Sequence, residues 1–212
     1  MYKKFVKRTI DVVLSAGGIV VLAIPMGLIA VAIKLDSKGP VFFRQKRVGE
    51  NKEQFEILKF RTMRTDTPKD APTHELSDPQ KWITKVGGVL RKTSLDELPQ
   101  LFNIFKGEMS IIGPRPALWN QFDLIEERDK YGANDVKPGL TGWAQIHGRD
   151  ELEIPVKAQL DGEYVEKMSF GFDCKCFFGT IKSVLKSEGV VEGGTGEMKK
   201  RAQQEENSTK SE

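Results

Sequence analysis

Two adjacent carboxylates, Asp96 and Glu97, stand in the run Ser94-Leu95-Asp96-Glu97-Leu98-Pro99-Gln100. Arg91 and Lys92 lie just upstream, and Arg115 is held between Pro114 and Pro116 downstream. Paired hard oxygens suit a divalent cation, and a helix N-terminus with basic neighbours suits a phosphate. Together they describe a site for a metal-bound phosphate group. A plainer reading also fits the acids. Ser94 with Glu97 matches a capping box, and acids in a first turn offset the helix dipole. A second frame makes Asp96 the N-cap and puts Pro99 in the first turn, where its missing N–H does no harm. Neither frame accounts for an arginine fixed in Gly113-Pro114-Arg115-Pro116.

The elements that must position these residues follow from periodicity. Leu98, Leu101, Phe102 and Phe105 recur at i, i+3, i+4, i+7, which predicts a buried helix following the acids. Val41–Val48 and Glu53–Thr62 flank Gly49-Glu50-Asn51-Lys52 and predict a short hairpin. Alternation in its second strand fails near the end, where Lys59 and Arg61 share a face with Phe55 and Ile57. Both residues are therefore expected to leave the packed sheet, either as site residues or as ordinary surface charge. Thr65–Gln80 is proline-rich and polar, a mobile surface loop to which His74 brings no metal-like partner. Trp82–Leu90 carries a weak helical stripe interrupted by Gly87-Gly88. Ala117–Tyr131 and Leu152–Lys167 predict helices, the latter with Pro155 in its first turn. Lys137–Trp143 is a turn-rich loop whose Trp143 is either core or a base-stacking platform, the core being its more usual place. Asp173–Lys186 sets Phe177, Phe178 and Ile181 on one side among lysines, a pattern that fits a membrane interface and core packing equally. From Glu188 onward few apolar residues remain, and a disordered tail is expected.

The net charge is only +3 over 212 residues, but lysine and arginine crowd the first 47 positions against Asp11 and Asp36 alone. A basic cluster beside an apolar run points to an anionic membrane surface, and no zinc-ligand spacing or RNA-binding signature argues for nucleic acid. Val12–Ile33 holds no charge. It is too long for a signal-peptide core and long enough for a bilayer, which takes roughly 20 helical residues. A single crossing is one reading. The other is a segment that enters and turns back at Pro25, because both flanks are basic and basic flanks mark the cytoplasmic side. Cys174 and Cys176 are too close for an ordinary disulfide framework, so a reducing cytoplasm is expected.

Ser94–Gln100, Met109-Ser-Ile-Ile-Gly-Pro-Arg-Pro116 and Pro138-Gly-Leu-Thr-Gly-Trp-Ala-Gln145, in that order, resemble the bacterial sugar transferases. These are small monotopic phosphoglycosyl transferases that start glycan assembly on a lipid carrier. The likeness runs from about Lys3 to about Val190 and departs from many relatives at His147 and Asp150, where they carry asparagine. It implies transfer of a sugar-1-phosphate from a UDP-sugar to polyprenyl phosphate, with release of UMP. Asp96 would be the nucleophile, and Asp96 with Glu97 would hold Mg²⁺ or Mn²⁺. Lys59, Arg61, Arg91, Arg115 and Arg149 would bind phosphates or nucleotide, with Asp161 of the Leu-Asp-x-x-Tyr element a further polar candidate.

The expected architecture is a mostly helical α/β, membrane-associated monotopic domain with a small hairpin and interfacial amphipathic helices. Residues 1–38 would be a re-entrant anchor, 39–187 the catalytic domain and 188–212 the tail. The expected location is the cytoplasmic face of the bacterial inner membrane. Three rivals remain at this stage: a metal-dependent phosphohydrolase, a catalytically silent membrane adaptor, and a transmembrane receptor stub.

Overall fold

The computed structural model describes residues 2–67, 81–148 and 152–186. His74, Arg149 and the tail 188–212 lie outside the described residues, as does most of the loop expected over Thr65–Gln80. Helices dominate. A short π-helical stretch, Tyr2–Val6, leads into α1 (Lys7–Val21) and α2 (Ala23–Asp36). The hairpin β1 (Phe42–Val48) and β2 (Gln54–Phe60) follows, and then α3 (Lys85–Thr93) and α4 (Gln100–Lys106). After β3 (Ser110–Ile112) come α5 (Phe122–Asp129), β4 (Gly139–Thr141), α6 (Trp143–Ile146), α7 (Ile154–Lys167) and α8 (Phe170–Lys186).

The pattern of α1 is inside-out. Lys7, Asp11 and Ser15, at i, i+4 and i+8, form its buried face, while Val13, Leu14, Val20 and Val21 are exposed. The Lys7 ammonium donates to Asp173 Oδ2 at 2.6 Å, and Asp11 Oδ1 accepts from Ser110 Oγ and the Ile111 N–H. Tyr2 and Tyr164 hydroxyls donate to the two oxygens of the same Asp173, which joins the chain's start to α7 and α8. Arg8 donates to the carbonyls of Ile104 and Phe105 at the C-terminus of α4, where a cation offsets the helix dipole. α2 buries Met26 and Ile33 against Phe60 and Leu90, and exposes Ile24, Leu28, Val31 and Leu35.

The two helices meet at 60°. The break falls at Leu22 rather than at Pro25, which sits in the first turn of α2. Proline acts upstream of itself: it offers no N–H to the carbonyl of Val21, and its ring crowds that same carbonyl. No single described helix is long and apolar enough to cross a membrane, whereas the bent pair together is.

β1 and β2 are antiparallel as expected, with Phe42 opposite Phe60 and Val48 opposite Gln54. Asn51 and Lys52 supply the positive φ of the turn. The glycine pair does not interrupt α3. Thr84 caps that helix by accepting from the Gly87 N–H, and Gly87 is required because a Cβ there would fall 2.0 Å from the Thr62 carbonyl oxygen. The helix expected from Ala117 starts only at Phe122, because Ala117 and Leu118 are drawn to the hairpin: the Val48 N–H donates to the Ala117 carbonyl. β3 and β4 form a parallel pair that the sequence did not suggest. Their backbones pass so closely that a Cβ at Gly139 or Gly142 would lie 2.1 Å from backbone atoms of Gly113. Trp143 is core, 8% exposed, in a cluster with Ile112, Tyr164, Met168 and Cys176. On α8 the outcome differs: Phe177 and Phe178 are 44% and 66% exposed, so this aromatic stripe is surface.

Candidate active site

The acids occupy neither capping frame. Leu95–Glu97 is a separate 3-10 turn between α3 and α4, entered through Ser94 in the left-handed region (φ 57°). The Ser94 side chain makes no cap, and Pro99 is the N-cap of α4. α4 is only seven residues long and follows the acids, so the expected helix N-terminus is absent as a feature of the site. Its apolar stripe does anchor the turn. Leu98 and Phe102 pack against the cluster of Phe60 and Leu90, Leu101 packs on the cluster of Ile57 and Ile104, and Phe105 alone stays largely exposed. Asn103, on the buried side of α4, donates to the Glu56 carbonyl and accepts from the Leu58 N–H, which fixes the helix to β2.

That fixing brings Lys59 to the acids. Lys59 does not leave the sheet; it stays in the ladder opposite Phe43, and its ammonium donates to Glu97 Oε1 at 2.8 Å. Arg115 Nη2 donates to the same oxygen, also at 2.8 Å. Glu97 is buried, 8% exposed, and is thus a fixed anion between two cations from two different elements. Asp96, beside it, is half-buried. Burial pushes the Asp96 carboxyl up from its ordinary value and Glu97 adds to this, while Lys59, Arg91 and Arg115 pull the other way. Burial likewise lowers Lys59, against the attraction of Glu97. Three cations therefore face two carboxylates, an excess of positive charge suited to an arriving phosphate.

Lys59, Arg91, Asp96, Glu97 and Arg115 are brought together. Arg61 is not. The strand ends at Phe60, and the Arg61 guanidinium turns to the carbonyls of Ser37 and Lys38 and the Ser37 hydroxyl, where it ties the end of α2 to the hairpin. Asp161 is also placed elsewhere. It is buried in α7 and accepts two hydrogen bonds from Arg128, at 2.9 and 2.6 Å, linking α7 to α5. One contributor was not singled out in the sequence: Arg47, whose Nη1 donates to the Pro116 carbonyl at 3.0 Å and whose charge reaches Lys59. The hairpin register held that signal, because Phe43, Gln45 and Arg47 pair with Lys59, Ile57 and Phe55 and so share one face.

The family model described as "Bacterial sugar transferase" matches residues 2–187. The chain belongs to the bacterial sugar transferases. Among members of this sugar transferase family, the "Uncharacterized sugar transferase EpsL" of Bacillus subtilis is 44% identical over 158 residues, 74% of this chain and 76% of that protein. The "Undecaprenyl-phosphate glucose phosphotransferase" of Komagataeibacter xylinus is 42% identical over 187 residues. The "UDP-glucose:undecaprenyl-phosphate glucose-1-phosphate transferase" of Escherichia coli is 40% identical over 186 residues. The matched part spans only 35% and 40% of the length of those two phosphotransferases, though 83% and 84% of this sugar transferase.

Proposed function

We propose that this chain transfers a sugar-1-phosphate from a UDP-sugar to a polyprenyl phosphate through a covalent aspartyl intermediate. The observation that carries the reading is the division of labour in the acid pair. Glu97 is neutralised by Lys59 and Arg115, and Asp96 stands beside it as a half-buried carboxylate within the field of three cations. In the first displacement an Asp96 oxygen bonds to the sugar-proximal phosphorus, and the P–O bond to UMP breaks, UMP leaving with the electron pair. In the second, a phosphate oxygen of the lipid attacks that phosphorus, and the carboxylate is released. Lys59, Arg91 and Arg115 bind and orient the diphosphate. Arg149 is a further candidate on the strength of its motif. Splitting the transfer lets a soluble donor depart before a membrane-bound acceptor attacks.

Among the described residues no cluster of three or more metal-ligating side chains exists. The adjacent carboxylates Asp96 and Glu97 are a pair and not a cluster, and a pair suits Mg²⁺, which takes one or two carboxylates and completes its shell with substrate phosphates and water. Asp96 and Glu97 would hold it, where it would supply charge neutralisation on the diphosphate. UMP release from a panel of UDP-sugars should require both polyprenyl phosphate and Mg²⁺ or Mn²⁺ for multiple turnover. Full turnover in excess EDTA would remove the metal from the reading, and release of free sugar phosphate without lipid would replace transfer with hydrolysis.

The reading also places α1 and α2 in the inner leaflet at the cytoplasmic face, as a re-entrant pair. Its support is the 60° bend, the outward-facing valines, leucines and isoleucines of both helices, and basic residues at both ends. The exposed Phe177 and Phe178 of α8 suit an interfacial position. With Cys174 and Cys176 replaced by alanine, single cysteines at Lys4 and Lys38 should label from the same side in oriented vesicles. Labelling from opposite sides would establish a crossing.

A further inference from the structure

Among the described residues, Gln145 has both polar side-chain atoms buried without a hydrogen-bond partner. It is 7% exposed and is the third residue of α6. Its Oε1 lies 3.0 Å from the point a Cβ on Gly142 would occupy, and the Gly113 carbonyl oxygen lies 2.1 Å from that same point. The amide thus sits against the corner where Gly113-Pro114-Arg115-Pro116 meets β4, held by the Gly113 N–H on the Thr141 carbonyl and the Gly139 N–H on the Pro114 carbonyl. From this corner Arg115 reaches Glu97.

A buried donor or acceptor left unpaired costs about 1–3 kcal/mol, and an apolar residue of the same volume avoids that cost. The chemistry of the amide says what would satisfy it. Nε2 donates and Oε1 accepts, side by side, so the complement is an edge with an acceptor next to a donor. Phosphate oxygens only accept and would leave Oε1 unpaired. The imide edge of uracil offers N3–H beside a carbonyl and pairs with a primary amide through two hydrogen bonds, as glutamine pairs with adenine through N6 and N7.

We infer that Gln145 reads the base of the nucleotide-sugar, pairing with the imide edge of uracil while Arg115, from the same corner, meets the phosphates. The inference rests on the proposed UDP-sugar reading. Gln145 is then a specificity-determining residue. It does no chemistry. Both amide atoms are closed to solvent here, so pairing requires the corner to part.

The test is binding by the purified full chain, without lipid acceptor, of UMP, its N3-methyl analogue and AMP. The wild type should bind UMP about tenfold or more tighter than the N3-methyl analogue, the loss expected for one or two hydrogen bonds. Equal binding of the two, or tighter binding of AMP, overturns the inference without reference to any variant. Gln145→Leu and Gln145→Met should abolish the discrimination with a melting temperature equal to or above that of the wild type. Either variant that keeps the UMP preference overturns it, and so does a melting temperature lowered in both, which is the signature of an amide held by a buried water. The two readings fail separately. Discrimination lost in the variants while no UDP-sugar supports transfer leaves the base site standing and removes the proposed reaction. Transfer with discrimination unchanged does the reverse.

Discussion

Replacing Asp96 by asparagine should abolish turnover, by on the order of 10⁴-fold or more, the scale seen when a covalent nucleophile is removed. The substitution keeps the shape, exchanges one acceptor oxygen for an NH2 donor and deletes the attacking charge. Without lipid, the wild type should release up to one equivalent of UMP per enzyme and gain the mass of a sugar phosphate on the peptide containing residue 96. The variant should show neither. Its melting temperature should not fall, because burial already disfavours the charged carboxyl at this position. Sequential kinetics with no trapped adduct would mean direct transfer and would reduce Asp96 to a metal ligand or general base.

The largest effect on stability is expected away from the acids, at Asp161. Its carboxylate and the Arg128 guanidinium are both nearly sealed from solvent and joined by two hydrogen bonds. Asp161→Ala leaves a buried guanidinium without its partner, a loss of about 3–5 kcal/mol. For a chain of this size that lowers the melting temperature by roughly 6–20 °C. The folded fraction should keep its donor KM when assayed well below the transition. An unchanged melting temperature with a raised KM would instead make Asp161 the substrate ligand that the motif resemblance implies.

These two sites show which parts of the molecule the sequence could carry. The acid pair, the apolar stripe behind it and the hairpin were legible because each follows a short period or a local turn. Asp161 and Arg61 were not. Both lie in motif-like runs rich in polar residues, and what separates a ligand from a structural tie is the partner, which is Arg128 for one and the end of α2 for the other. The capping frames failed because Ser94 takes a left-handed conformation that no side-chain pattern announces. The β3–β4 pair escaped for another reason. Each strand is three residues long, with no room for alternation, and α5 separates them in the chain. Only the glycines at 113, 139 and 142 hinted at a close backbone crossing, and glycines in a Gly-Pro-rich run read first as turns. The inverted face of α1 was hidden by reading the apolar run from Val12, which cut Lys7 and Asp11 away from Ser15.

That inverted face bears on how separable α1 and α2, the proposed anchor, are from the rest of the enzyme. A greasy hairpin that merely tethered a domain could be swapped for any other or trimmed off to give a water-soluble version. Here the polar side of α1 is the internal strut: Lys7 meets Asp173, Asp11 meets the start of β3, and Arg8 closes the far end of α4, whose near end follows the acidic turn. Excising residues 2–36 would leave Asp173 with Tyr164 but without Lys7 and Tyr2, and would take Asp11 from Ser110 and Arg8 from the α4 carbonyls in one stroke. Transplanting a foreign anchor would do the same. Helix α1 and the candidate site therefore belong to one folding unit, and Lys7 finds its charge partner only when Asp173, 166 residues further along, has been brought to it.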